Sequence, residues 1–208
     1  MHIPDGILPA AVCAGGYATT ALATGLSLRK FRQDSVPKAS IFTAAFFVAS
    51  WVHIPIPPTS VHLVLNGLLG VVLGPAAFPA ILVGLFFQAV MFQHGGLTTL
   101  GVNAAMMGLP AILAYYLFRL RNLAPKESRV WTGIFGFLAG GSAIGISALI
   151  ALVLLITTIP AHLDVETERA SIYTLTLAHV PLMAIEGVFT ALVAMFLQRV
   201  RPELLENR

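Results

Sequence analysis

The sequence predicts an all-α integral membrane protein: a bundle of about seven transmembrane helices with the N-terminus outside and the C-terminus cytoplasmic. Two observations carry this. Hydrophobic residues make up 57% of the chain and charged residues 10%, with mean hydropathy +0.87, against roughly 45–50% and 25% in a soluble domain. The apolar residues also fall into long runs separated by charged or Pro/Gly breaks. At about 20 residues per helical span, the 208 residues are used up by six or seven crossings with short loops. Residues 1–208 therefore read as a single transmembrane domain, with no separate soluble unit.

The opening MHIPDG, residues 1–6, precedes the first apolar run. A secretory signal begins with basic residues; here none occurs before Arg29, and Asp5 has the wrong charge. The expectation is that Met1 and His2 stay in the mature protein. Spans follow near 7–28, 39–56, 61–74, 77–93, 97–118, 130–158 and 171–198. The third, VHLVLNGLLGVVLG, is short, so it is tilted, buried in the bundle, or one arm of a hairpin closed by Gly74-Pro75. In the sixth, Gly136 with Gly140 and Gly141 with Gly145 have the spacing of close helix packing, read as internal to the bundle.

Orientation follows from the basic residues, which collect in cytoplasmic loops. With the N-terminus outside, the inner side receives Arg29, Lys30, Arg32, Lys38, Arg119, Arg121, Lys126, Arg129, Arg199, Arg201 and Arg208, leaving only Arg169 of the twelve outside. The pI near 9.4 is thus a matter of topology and excludes a nucleic-acid partner. The same topology puts His2, His53, His62, His94, His162 and His179 in the outer half. Histidine is the commonest metal ligand, which points to a metal site at the outer face, the alternative being a set of interfacial polar side chains.

A free N-terminus followed directly by histidine is a chelator. The Met1 amine, the deprotonated His2 amide and His2 Nδ1 close a five- and then a six-membered ring on one metal. Three coplanar nitrogens suit Ni(II) or Cu(II) and accept Co(II). Pro4 restricts Ile3 to an extended conformation. Asp5 then either caps the turn at Gly6 or accepts a hydrogen bond from a ligating group. Two stretches compete for the fourth donor. In VHIPIPPTSVHLVLNG, His53 precedes a proline-rich loop and His62 opens the third span after Thr59 and Ser60, either of which would cap it. In FQHGGLTTLGVN, His94 sits at the next outer turn. His62 is the better ligand on this reading, and His94 reads as a hydrogen-bonded interfacial histidine.

The stretches MHIPDG, PPTSVHLVLNGLLG and FFQAVMFQHGGLTTLGVNAAMMG resemble the substrate-capture subunit of cobalt and nickel energy-coupling-factor importers, the CbiM/NikM family. The likeness covers most of the first 120 residues, with HVPLMAIEG as a weaker echo in the last span. It implies a seven-helix subunit in a prokaryotic plasma (inner) membrane, holding Co2+ or Ni2+ as transported substrate through the Met1 amine, the His2 amide and imidazole, and His62. It further implies that Asn103 stands near the bound N-terminus and that the first span docks on a membrane coupling subunit. A histidine at His94 resembles cobalt-type members, which tilts the metal toward cobalt.

Glu186 lies about fifteen residues into the last span, where an ionisable group is costly and functional by default. His179 is seven residues before it on the same face. Together they read as a candidate proton relay, or Glu186 simply fastens helices. Because it lies about 20 Å below the outer surface, Glu186→Gln is expected to leave metal binding nearly unchanged. No lysine follows a glycine, so there is no phosphate loop, and no HExxH motif marks an enzyme. Two readings follow. One is a metal-capture subunit of an ABC importer working with a membrane coupling (T) subunit and cytoplasmic ATPase subunits, a small accessory membrane subunit being left open. The other is a self-sufficient proton-coupled metal permease using His179 and Glu186.

Overall fold

A computed structural model describes residues 2–29, 31–56, 59–123, 128–160 and 164–206, with backbone alone at 59 and 60. Met1 and His162 lie outside the described residues. Among those described, seven α-helices and one short hairpin follow in the order α1 (Ala10–Leu28), α2 (Val36–Ala49), β1 (His53–Ile56), β2 (Thr59–His62), α3 (Asn66–Leu73), α4 (Ala77–Phe92), α5 (Leu100–Arg119), α6 (Arg129–Thr157) and α7 (Val165–Val200).

Where these bounds differ from those read in the sequence, the backbone gives the reason. The run over 39–56 is helical only to Ala49. The chain then turns through Ser50, whose hydroxyl donates to the Phe47 carbonyl, and enters β1. Pro55 cannot donate to a ladder, and a two-stranded hairpin has room for it at an edge. The antiparallel register pairs His53 with His62 and Ile56 with Thr59. His62 therefore ends a strand, and α3 begins only at Asn66.

Among the described residues, five helical stretches are long and apolar enough to cross a membrane, with Asn66–Phe92 counted as one of 27 residues. As a single rod that stretch would be about 40 Å long. Yet His62 before it and His94 after it offer ring nitrogens within 4.8 Å of each other. The stretch must double back, and it does so at Gly74, whose φ of 60° a glycine adopts freely, followed by Pro75. Every residue of α3 is buried. By contrast α1 buries only Thr20, Ala23 and Ser27 and exposes Leu22 and Leu26.

The two ends of the bundle differ. At one, Lys38 Nζ donates to the Leu204 carbonyl at 2.7 Å and Arg121 to the Leu205 carbonyl at 3.4 Å, so the starts of α2 and α6 and the ends of α5 and α7 gather there. The starts of α1 and α5 and the end of α4 gather at the other, with the hairpin. Deep between them α3, α6 and α7 meet closely. A Cβ on Gly67 would stand 2.7 Å from the Gly140 Cα, and one on Gly140 would stand 2.7 Å from the Glu186 carbonyl oxygen. The sixth helix thus spends its small residues inside the bundle.

Candidate metal site

Residues 2–5 lie across the start of α5. Ile3 is gripped by one side chain on both of its backbone groups: its N–H donates to Asn103 Oδ1 at 3.0 Å, and Asn103 Nδ2 donates to its carbonyl at 3.0 Å. Thr99 Oγ1 donates to the same carbonyl at 2.6 Å. Asn103 and Thr99 are both buried. Asp5 accepts from the N–H groups of Leu97 and Thr98 and from the Thr98 hydroxyl. It thus caps the turn leading into α5. The Thr98 hydroxyl, with help from these amides, holds the Asp5 carboxyl below its ordinary range. Gly96 makes room for this: a Cβ there would stand 2.0 Å from Asp5 Oδ1.

This docking brings His2 against two other histidines. His2, His62 and His94 each offer a ligand atom, all within 4.8 Å of one another. The rings of His2 and His62 stack at 5.0 Å, and His94 lies 4.3 Å from His2 and 4.9 Å from His62. His94, read in the sequence as an interfacial residue, therefore belongs to the cluster. Gln88 places two of the three. Its side-chain oxygen accepts from His2 Nε2 at 2.9 Å, and its backbone carbonyl accepts the His94 N–H at 3.2 Å. Gln93, left-handed at φ 54°, turns the chain between them. The position of Gln88 one turn before the end of α4 is what lets one residue reach both histidines.

Hydrogen bonding selects which nitrogens face inward. His62 Nδ1 lies 2.8 Å from the Leu63 carbonyl. A carbonyl only accepts, so the proton of the neutral ring is on Nδ1 and Nε2 is the ligating atom. His2 gives its Nε2 proton to Gln88, which leaves Nδ1 for a metal. These two atoms, His2 Nδ1 and His62 Nε2, stand 3.2 Å apart. Burial lowers the pKa of all three imidazoles, that of His62 to about 3. Neutral imidazoles with ligand atoms this close together could hold a cation.

The chain matches the family described as "cobalt uptake substrate-specific transmembrane region" over residues 2–204. It belongs to this family. It is 34% identical over 223 residues to the cobalt transport protein CbiM of Sorangium cellulosum, covering 100% of this chain and 95% of the relative. To the fused nickel transport protein NikMN of Rhodobacter capsulatus it is 34% identical over 227 residues, covering 100% of this chain and 65% of that one. A crystal structure of a transition metal transporter superposes with TM-score 0.72 at 26% identity, over 100% of this chain and 95% of that chain. The chain is a cobalt/nickel transport membrane protein of this family.

The remaining residues singled out in the sequence stand apart. His53 is exposed on β1, with its ring 6.0 Å from that of His62 and its Nδ1 3.1 Å from the Trp51 carbonyl. His179 Nδ1 bonds the Leu175 carbonyl at 2.8 Å. The Glu186 carboxylate accepts the backbone N–H groups of Val64 and Leu65. Depth counted along α7 suggested that Glu186 is remote from the metal; instead the chain beyond His62 descends to meet it.

Proposed function

We propose that this chain is the metal-capture subunit of an energy-coupling-factor ABC importer. It takes Co2+ or Ni2+ from the outer face of the plasma membrane through the Met1 amine, the His2 amide and Nδ1, and His62 Nε2, with cobalt slightly preferred. In this reading the histidine end of the bundle faces outward and the Lys/Arg-rich end faces the cytoplasm. The observation that carries it is the pair His2 Nδ1 and His62 Nε2, 3.2 Å apart, each with its other ring nitrogen given to a fixed acceptor. Three nitrogens from the first two residues and one from His62 complete a tetragonal set suited to Ni(II) and acceptable to Co(II). His94, whose ring lies 4.3 Å from that of His2, would add a fifth donor, which favours Co(II).

A captured ion needs energy to cross, and the chain has no phosphate loop. Partners are therefore a membrane coupling subunit and cytoplasmic ATPase subunits. The name of the fused NikMN relative, of which this chain matches 65%, supports a unit that works joined to others. The permease reading needs His179 and Glu186 to exchange a proton. Seven residues of helix separate them by about 10 Å, and each bonds elsewhere, His179 to the Leu175 carbonyl and Glu186 to the N–H groups of Val64 and Leu65.

Vesicles containing the chain alone, with its native N-terminus, provide the test. They are expected to bind about one Ni2+ or Co2+ per chain and to accumulate none under an imposed proton gradient. Accumulation without ATPase partners would establish the permease instead.

A further inference from the structure

We propose that Glu186, on α7, is a positioning residue of the metal site: it fixes the peptide unit that orients His62. The proposal rests on the reading of His2 and His62 as metal ligands.

Between the end of β2 at His62 and the start of α3 at Asn66, the Leu63 N–H still continues the hairpin by donating to the Val52 carbonyl at 3.2 Å, and beyond it the N–H groups of Val64 and Leu65 turn to a side chain instead. Leu65 is left-handed at φ 59°, which a branched side chain adopts only where its surroundings impose it. Val64 and Leu65 are buried, at 2% and 5% exposure, so their N–H groups cannot turn to water. Both donate to Glu186: Val64 N–H to Oε1 at 2.5 Å, and Leu65 N–H to Oε1 and Oε2 at 3.0 and 3.1 Å. Glu186 is itself fully buried, and the bare surface of Gly140 lets its turn of α7 press against α6. An irregular strap is thus tied to a rigid post.

The link to the metal is a single peptide plane. The carbonyl of Leu63 and the N–H of Val64 belong to the same planar, trans unit and point in opposite directions. On one side Glu186 takes the N–H; on the other the carbonyl takes the Nδ1 proton of His62 at 2.8 Å. Holding the N–H therefore holds the carbonyl, and the carbonyl keeps the proton on Nδ1 and aims Nε2 at His2. Without the carboxylate that peptide is released to rotate, and His62 loses both its orientation and its fixed tautomer. Glu186 touches neither metal nor ligand; it acts through backbone.

A double-mutant cycle on the full chain, with native N-terminus in detergent, tests this by equilibrium Ni2+ binding to the wild type, His62→Ala, Glu186→Ala and the double variant. Glu186→Ala is expected to weaken binding ~10–100-fold, the range typical of groups that orient metal ligands, and the double variant to bind no more weakly than His62→Ala alone. Costs that multiply, or a Glu186→Ala protein that binds like the wild type, overturn the proposal. If Glu186→Ala does not fold, Glu186→Gln decides: it keeps one acceptor oxygen but turns an NH2 toward the Leu65 N–H. Its expected result is a smaller loss of affinity that disappears when His62 is alanine, and wild-type binding by Glu186→Gln would overturn the proposal. A wild type whose Ni2+ affinity is indifferent to His62→Ala sinks the reading of the site itself, whereas intact dependence on His62 with multiplying costs sinks only the role of Glu186.

Discussion

The two segments that converge on the proposed site are held in opposite ways. The N-terminal arm, residues 2–5, is fastened at the rim of the bundle by the start of α5: the buried Asn103 and Thr99 on Ile3, itself buried, and the turn of 97–99 on Asp5. Asp5 is exposed. The hairpin arm, which ends in His62, is fastened from within by a fully buried carboxylate. The first hangs on the start of one helix and the second on a residue in the middle of the bundle, and on the proposed function we infer that the first is the detachable arm and the second the fixed one. In that reading an ion is released by moving the detachable arm, and His62 on the fixed arm sets where it waits.

Breaking the fixed arm's ligand gives the largest effect by side-chain substitution. His62→Ala is expected to weaken Ni2+ or Co2+ binding by at least ~100-fold, since even outer-shell partners commonly cost ~10–100-fold; titration calorimetry with a competing chelator would measure it. Loosening the detachable arm comes next. Asn103→Leu, similar in size, leaves both backbone groups of Ile3 without their shared partner and is expected to cost ~10–100-fold. The loss should show chiefly as faster dissociation in stopped-flow measurements, because the arm still reaches the site but no longer rests there. His94→Ala is expected to cost less than about tenfold, and more for Co2+ than for Ni2+ if its ring serves as a ligand outside the plane. Equal losses for the two metals would leave His94 as a packing residue.

The pH dependence separates an all-imidazole site from one that recruits the chain terminus. Burial depresses the imidazole pKa values, to about 3 at His62 and below the ordinary range at His2 and His94, so these rings are neutral at and above neutral pH and protons do not compete for them there. Imidazoles alone would give an affinity that is flat through neutral pH. An α-amine, ordinarily near 8, and an amide must both lose protons to bind, so affinity should climb at least about tenfold per pH unit between pH 6 and 8.

Much of this was legible in the sequence, for identifiable reasons. Hydropathy marks helices because a spanning chain must satisfy its own backbone, and the Lys/Arg bias sorts one end from the other. The start Met1-His2 carries its chelate chemistry in two adjacent residues. Position along a helix was misleading where two segments meet from different directions. Glu186 was placed correctly on α7, but nothing in the apolar run around Val64 says that it descends extended before becoming helical. His94 was set aside for the same reason: whether a turn faces the site depends on the doubling back at Gly74, and a short apolar segment fits a tilted span equally well. The asparagine at 103 was visible through family resemblance alone. Its grip on Ile3 depends on the angle at which residues 2–5 cross α5, which no local pattern encodes.

The most direct test of the account concerns the chain terminus, because a ligand set built on the α-amine and the following amide depends on position as much as on residue type. Protein with its native Met1-His2 start should be compared with protein acetylated at the N-terminus or extended there by a tag, every side chain being retained. The account predicts that the blocked protein folds with the same helix content and loses high-affinity Ni2+ and Co2+ binding, while a tag at the C-terminus has no such effect. Equally tight binding by the blocked protein would contradict it and reduce the site to its three imidazoles.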